Sequence, residues 1–234
     1  MRDDKELWIC TGKAGDLLNI LPICKHRHDA GKPVALMVAR EFISILDGVS
    51  YAEPVMFDGF WMNVGEAYDQ AKKLFKTTRV LQVAGNRPDI MNIAYKSIGL
   101  NVGDPQTESF IKEQWRIAGC LPQFKDNLPL VFDRRDPKRE AELVDLHLSR
   151  YRETARICLI YMGGKSSPYK LAKLVGEYMP LRFHGRRWGF VDLSEVHAER
   201  LYDLLGLYDE AKMLISTDSA PLHLAPNCRP GSIG

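Results

Sequence analysis

The hydrophobic positions of this chain fall into short apolar runs that alternate with segments of helical periodicity. In the first half, the strand-like runs are Leu7–Cys10, Val34–Val38, Pro54–Phe57 and Arg79–Val83. The segments with helical spacing run from Asp16 to about His28, from Val64 to Phe75 and from Ser109 to Ala118. This alternation favours βαβ units and a parallel sheet covered on both faces.

The same pattern begins again at Ile157. Strands are predicted at Ile157–Tyr161, Gly189–Leu193 and Lys212–Ser216, and helices at Pro168–Tyr178, at Ala198–Leu207 and from Pro221. Between the halves, the break at Gly119–Pro122 precedes a charged, amphipathic helix from Lys138 to about Arg152. We therefore predict an α/β protein with two Rossmann-like domains facing a cleft, residues 1–118 and 155–234, joined by 119–154.

Composition narrows the class of protein. The 234 residues are 45% hydrophobic and 26% charged, with a net charge of +2, which indicates a globular chain and no nucleic-acid partner. The five cysteines are odd in number and lack metal-type spacing, so we expect reduced thiols and a cytoplasmic location. No run approaches the ~20 apolar residues that span a bilayer, and peripheral membrane contact stays open.

The first candidate site is the turn directly after the first strand. Gly12 and Gly15 allow a ligand to approach the backbone closely. Asp16 then stands at the mouth of the first helix, where it either takes a proton from an acceptor hydroxyl or caps the helix. The turn is not a P-loop, because Lys13 is followed by Ala14.

The second candidate is Gly163–Pro168, a turn between a strand and a helix. Helix N-termini offer free N–H groups and a positive dipole end to phosphates, and Lys165 would add a full charge. Leu159 stands where a P-loop needs glycine, so a kinase or NTPase is excluded. The alternative is an ordinary turn with a solvated lysine.

The third candidate is Ser216–Ala225, where a strand leads into small polar residues and a helix. Thr217, Asp218 and Ser219 either cap that helix or present donors to a diphosphate. His223 falls on its first turn.

Together, these motifs resemble glycosyltransferase family 9, the heptosyltransferase family of lipopolysaccharide synthesis. Its N-terminal signature, G-x-x-G-D followed by a helical turn ending in L-P, is matched by Gly12–Pro22. Its C-terminal signature, D-S-G-P-x-H-x-A, is matched by Asp218–Ala225, with Ala220 in place of glycine.

Three further segments carry the resemblance less specifically. Lys165–Pro168 matches the family's lysine followed by two residues and proline, although Lys170 is a competing match. Val191–Ser194 is similar to a strand ending in D-L-T-G, with Glu195 in place of the glycine, and Phe110–Gly119 is similar to the helix before the domain junction.

The resemblance implies a GT-B fold and an inverting transfer of a sugar, often a heptose, from a nucleotide diphosphate to a hydroxyl, without metal or cofactor. It implies a nucleotide-sugar donor and a glycan or lipid-linked acceptor. Asp16 would be the general base, and the acceptor-side loop would contain Gly12, Lys13 and Gly15. The donor diphosphate would be held by Lys165, Thr217, Asp218, Ser219 and His223.

Other functions stay open on the sequence alone. One alternative is a relative of the same fold that binds a nucleotide sugar or glycan without turnover, and another is a sugar-nucleotide epimerase. Family members continue past the histidine helix, whereas this chain stops at Gly234. We therefore expect a short C-terminal domain, either as a shortened form or as a fragment.

Overall fold

The chain forms two compact units, Met1–Asp133 and Arg134–Gly234. The computed structural model describes residues 2, 4–83, 87–101, 109–125, 129–151, 155–164, 170, 172–183 and 187–225. In this part of the chain, each unit contains its own sheet, and every strand pair is parallel. The predicted α/β class with parallel sheets is therefore confirmed.

The first unit contains a four-stranded sheet in the order β3-β2-β1-β4. Its strands are β1 (Leu7–Cys10), β2 (Val34–Ala39), β3 (Ala52–Phe57) and β4 (Thr78–Val80). Every residue of β1 and β2 is buried, as expected for central parallel strands covered on both faces. The first three strands lie where the sequence predicted them. The fourth is shorter than predicted, although the Leu81 N–H still donates to the Ile9 carbonyl at 2.9 Å.

Among the described residues, four α-helices accompany this sheet: α1 (Ala14–Asp29), α2 (Val64–Leu74), α3 (Pro88–Lys96) and α4 (Phe110–Ile117). The described residues also form 3₁₀ helices at Arg40–Gly48, with nine residues, and at Leu121–Gln123, with three. The sequence analysis did not predict α3 or the Arg40–Gly48 helix. It also began α1 at Asp16, whereas the helix starts two residues earlier because Lys13 is its N-cap residue.

A partly buried carboxylate holds two of these elements to the sheet. Glu6 accepts hydrogen bonds from the guanidinium groups of Arg27 on α1 and Arg79 on β4, both at 2.9 Å. Arg79 in turn donates to the Ile117 carbonyl at the end of α4. This network connects β4 with α1 and α4 near the amino end of β1.

The second unit contains a three-stranded sheet in the order β6-β5-β7. Its strands are β5 (Arg156–Tyr161), β6 (Trp188–Asp192) and β7 (Ala211–Ser216). Its α-helices are α5 (Pro137–Leu148), α6 (Ala172–Phe183), α7 (Leu205–Glu210) and α8 (Ala220–Leu224).

The predicted helix Ala198–Leu207 is wrong as a single element. A 3₁₀ turn spans Leu201–Leu204 and continues into α7. Buried Asp203 accepts both the backbone N–H and the guanidinium of Arg200 at 3.0 Å, which starts the element at Leu201. The helix α5, predicted as part of the junction, packs against α7 within the second unit.

Candidate active-site loops

The first candidate loop leaves β1 through Thr11 and Gly12, both buried. The Asp16 carboxylate occupies the third helical position of α1, and its Oδ2 accepts the Lys13 backbone N–H at 2.9 Å. Asp16 thus caps α1, as one interpretation of the sequence expected. Capping does not exclude a role as base, because an ionised carboxylate offers about four lone-pair positions.

Gly12 lies where two side chains converge. A Cβ built on Gly12 would fall 2.3 Å from Asp16 Oδ2 and 2.2 Å from Gln82 Oε1. Both distances are far shorter than ordinary van der Waals contact, so a larger residue at position 12 must displace one of these groups. The glycine was predicted to allow close approach of a ligand, and the structure shows that it admits Asp16 and Gln82.

Gln82 is a site residue that the sequence analysis missed. It lies just after β4 and is 1% exposed, and its Oε1 accepts the Cys10 thiol at 3.4 Å. Burial raises the pKa of Cys10 well above its usual value, and the negative charge of Asp16 raises it further. A single polar residue within an otherwise apolar run was the signal available in the sequence.

A second loop, residues 58–63, lies against the first. The Met62 N–H donates to the Thr11 carbonyl at 2.7 Å, and Met62 adopts φ +68°, a conformation that non-glycine residues seldom occupy. The Lys13 ammonium lies 5.1 Å from the centroid of the Trp61 ring. Phe60 beside it is 70% exposed. Two adjacent aromatic residues in a polar loop were the signal that the sequence offered here.

In the second unit, the exits of β5 and β7 are joined by hydrogen bonds. The Gly164 N–H donates to Thr217 Oγ1, and the Thr217 N–H donates to the Tyr161 carbonyl, both at 3.0 Å. Gly164 and Thr217 are buried. Lys165, with the rest of its predicted motif up to Pro168, lies outside the described residues.

The residues after Thr217 form a compact polar turn. The hydroxyls of Ser216 and Ser219 both donate to the Thr217 carbonyl, at 2.7 and 2.9 Å. Ser219 is the N-cap residue of α8, but its side chain makes no capping hydrogen bond. Asp218 is exposed and lies 3.4 Å from His223 Nε2. The structure therefore brings together Thr217, Asp218, Ser219 and His223.

Three further properties of the described residues concern metal binding, the cysteines and membrane crossing. They contain no group of three or more histidine, cysteine or acidic side chains placed to hold a metal ion. Cys10, Cys24, Cys120 and Cys158 are free and buried, and Cys228 lies outside the described residues. Among the helices that the structure describes, none has the length and apolarity needed to cross a membrane.

Comparison with known proteins identifies relatives by structure alone. No protein-family model matches the sequence, and no curated protein matches it. The fold is similar to that of a family 9 glycosyl transferase from Veillonella parvula, with a TM-score of 0.62 and 10% sequence identity. That match covers 94% of this chain and 77% of the other.

Two Escherichia coli structures match over the same share of this chain. ADP-heptose lps heptosyltransferase II gives a TM-score of 0.54 at 12% identity, with 81% of its length covered. Heptosyltransferase WaaC, solved with ADP, gives 0.52 at 11% identity, with 83% covered. At such low identity, these matches establish the fold. The predicted resemblance to glycosyltransferase family 9 is confirmed at that level, and the chain has the fold that these sugar-transferring enzymes share.

Proposed function

We propose that this protein is an inverting glycosyltransferase that moves a sugar, heptose-like, from a nucleotide-diphosphate donor to an acceptor hydroxyl. The observation that carries the proposal is the position of Asp16, in the first turn of the helix that follows β1, in a fold shared with three sugar-transferring enzymes. In open parallel sheets, ligands bind at the carboxyl ends of the strands, and Asp16 lies at such an end.

In the proposed reaction, the Asp16 carboxylate takes the proton of the acceptor hydroxyl. The acceptor oxygen attacks the anomeric carbon of the donor from the face opposite the diphosphate, and the bond from that carbon to the phosphate oxygen breaks. The nucleoside diphosphate leaves with the bonding electrons, so the anomeric configuration inverts. Gly12, Lys13 and Gly15 would line the acceptor side.

The donor diphosphate is proposed to bind at the turn that follows β7. Ser219 and His223 lie there, and Thr217 holds Gly164, the residue directly before Lys165. The positive charge of Lys165 and the N–H donors of the turn would stabilise the negative charge that develops on the leaving group. Thr217 would contribute through the shape of the turn, because its buried hydroxyl already accepts the Gly164 N–H. Exposed Asp218 would contribute by pairing with His223.

A second candidate is a nucleotide-sugar or glycan binding protein without turnover. The observation that favours it is the hydrogen bond from the Lys13 N–H to Asp16, which gives the carboxylate a structural role. The two candidates differ in what they require of Asp16: only the enzyme needs its negative charge.

The test begins with a thermal-shift screen of ADP, UDP and GDP and their sugars, because a ligand that binds the folded state raises the melting temperature. ADP-heptose is the first donor to try, followed by assays of nucleoside diphosphate release with glycan acceptors. Asp16→Asn keeps an oxygen that can accept the Lys13 N–H, so the melting temperature should change little. Turnover should fall by about 10²–10⁴.

The matched control is Asp29→Asn, at the opposite end of α1, where the carboxylate pairs with Lys25 on the surface. It removes the same charge from the same helix and should leave turnover unchanged. If Asp16→Asn lowers the melting temperature while its rate per folded molecule holds, Asp16 is a cap and the proposed base is wrong. A wild type that binds a nucleotide sugar and never releases the diphosphate would be the binding protein.

A further inference from the structure

Gln82 and Asp16 approach the same point of the backbone from two different elements. The Cβ position of Gly12 lies 2.2 Å from Gln82 Oε1, 2.6 Å from Gln82 Nε2 and 2.3 Å from Asp16 Oδ2. Gln82 follows β4, the strand that pairs with β1, and Asp16 belongs to α1, which follows β1. The amide and the carboxylate are therefore neighbours across Gly12.

A hydrogen bond from Cys10 sets the orientation of the Gln82 amide. A buried primary amide is costly unless its oxygen and nitrogen both form hydrogen bonds. Cys10 supplies a donor, because burial and the charge of Asp16 keep its thiol protonated, and that thiol lies 3.4 Å from Gln82 Oε1. With the oxygen engaged by Cys10, the nitrogen is the end of the amide that can donate to an acceptor.

The Asp16 carboxylate is suited to receive such a donor, since an ionised carboxylate only accepts hydrogen bonds. We propose that Gln82 is a positioning residue for Asp16: its amide, oriented by Cys10 and admitted by Gly12, holds the carboxylate in one place and favours its ionised form. This inference rests on the proposed function for its relevance to catalysis. The effect of the Gln82 amide on the position and ionisation of the Asp16 carboxylate does not depend on that function.

A neutral hydrogen-bond donor near a carboxylate favours the charged form, so removing that donor raises the pKa of the carboxyl group. The substitution to make is Gln82→Met, which keeps length and apolar volume and removes both polar atoms. We expect the pKa of Asp16 to rise by roughly 0.5–1 unit. We also expect turnover to fall about tenfold or more through misplacement of the base, with the KM for the donor unchanged.

The chain offers a matched control in Gln114. This residue is also a fully buried glutamine, and its Nε2 donates to the Leu81 carbonyl, one residue before Gln82. Gln114→Met therefore removes a buried amide from the same region. It should lower the melting temperature without moving the pKa of Asp16, which separates positioning from general loss of packing.

The measurement is a pH titration followed by NMR of protein carrying ¹³C-carboxyl aspartate, with the Asp16 resonance assigned from its loss in Asp16→Asn. A rise in the pKa of Asp16 in Gln82→Met but not in Gln114→Met supports the proposal. An Asp16 pKa that stays within about 0.2 unit of wild type in folded Gln82→Met overturns it.

If Gln82→Met does not fold, Cys10→Ala tests the same claim. It removes the thiol that orients the Gln82 amide, with a smaller loss of packing. The Asp16 pKa should then move upward by a smaller amount, and an unchanged value would overturn the proposal. The titration needs no substrate. An Asp16→Asn variant that retains full turnover would thus refute the proposed base and leave the positioning result standing.

Discussion

Replacing Gly164 with alanine tests how the two loops of the second unit are joined. An added Cβ would lie 2.3 Å from Thr217 Oγ1, 3.0 Å from Thr217 Cβ and 3.3 Å from the Asp218 carbonyl oxygen. Normal carbon contacts are about 3.5–4.0 Å, so the Thr217 side chain must move by roughly 1 Å or more. It has little freedom to do so, because it is buried and its N–H is held by the Tyr161 carbonyl.

Two costs follow from this displacement. Overpacking a buried site destabilises a protein by about 1–3 kcal/mol. Loss of the Gly164 N–H to Thr217 hydrogen bond leaves a buried donor unpaired, which costs about 1–3 kcal/mol. We therefore expect Gly164→Ala to lower the free energy of unfolding of the second unit by about 2–6 kcal/mol. If the proposed donor site is correct, affinity for ADP should fall as well.

Urea unfolding followed by circular dichroism measures the first effect, and calorimetry with ADP measures the second. The control is Gly163→Ala, whose Cβ would meet only the outer edge of the Tyr161 side chain, at 3.2 Å. That variant should change stability by less than about 0.5 kcal/mol. Adding Thr217→Ala to Gly164→Ala removes the hydroxyl that collides, so the two changes should be less than additive by about 1 kcal/mol. Equal stability of Gly164→Ala and Gly163→Ala would refute the reasoning.

Three further predictions concern the first unit. The Arg2 guanidinium and, less strongly, Lys5 lower the pKa of Glu53 to about 2; its stabilising effect is present above about pH 4.5 and lost toward pH 2. Because the pair is partly exposed, Glu53→Gln should cost only about 0.5–1 kcal/mol at pH 7 and nothing near pH 2, as acid-dependent urea titrations would show. Glu6→Ala should cost about 3 kcal/mol in the same assay, since it leaves two arginines of the network without their carboxylate. Trp61→Ala should raise the KM for the acceptor without changing the KM for the donor, because the ring lies beside Lys13 of the proposed acceptor-side loop. An unchanged KM for the acceptor would mean that Trp61 is not part of the acceptor site.

The strands β1 and β2 were predictable because their burial is uniform. In β1 and β2 all residues are buried, so the sequence shows unbroken apolar runs of strand length between turn residues. The helix α3 was missed even though its buried residues, Ile90, Met91, Ala94 and Tyr95, repeat at helical spacing. The Arg40–Gly48 segment is 3₁₀, a conformation that the periodicity of apolar residues does not distinguish from a short α-helix or a loop.

The candidate site was predictable only in part. Glycines and small polar residues after strands mark turns, and this local signal located the loops at Gly12, Gly164 and Thr217. The contacts of those loops depend on which strands are neighbours. Nothing in the spacing of Gly12 and Gln82, 70 residues apart in the chain, shows that they meet.

In both units, a glycine follows one strand of a parallel pair and lies against a side chain that follows the other strand. β1 pairs with β4, and β5 pairs with β7, each in parallel, so the carboxyl ends of both strands in a pair lie at one edge of the sheet. In each pair, a side chain that follows one strand crosses the backbone that follows the other: Gln82 over Gly12, and Thr217 over Gly164. Only glycine leaves room for that crossing. A glycine after a parallel strand therefore marks either a ligand's approach or a neighbouring strand's side chain. In this protein both glycines admit the side chain, so an alanine at either position is expected to displace Gln82 or Thr217.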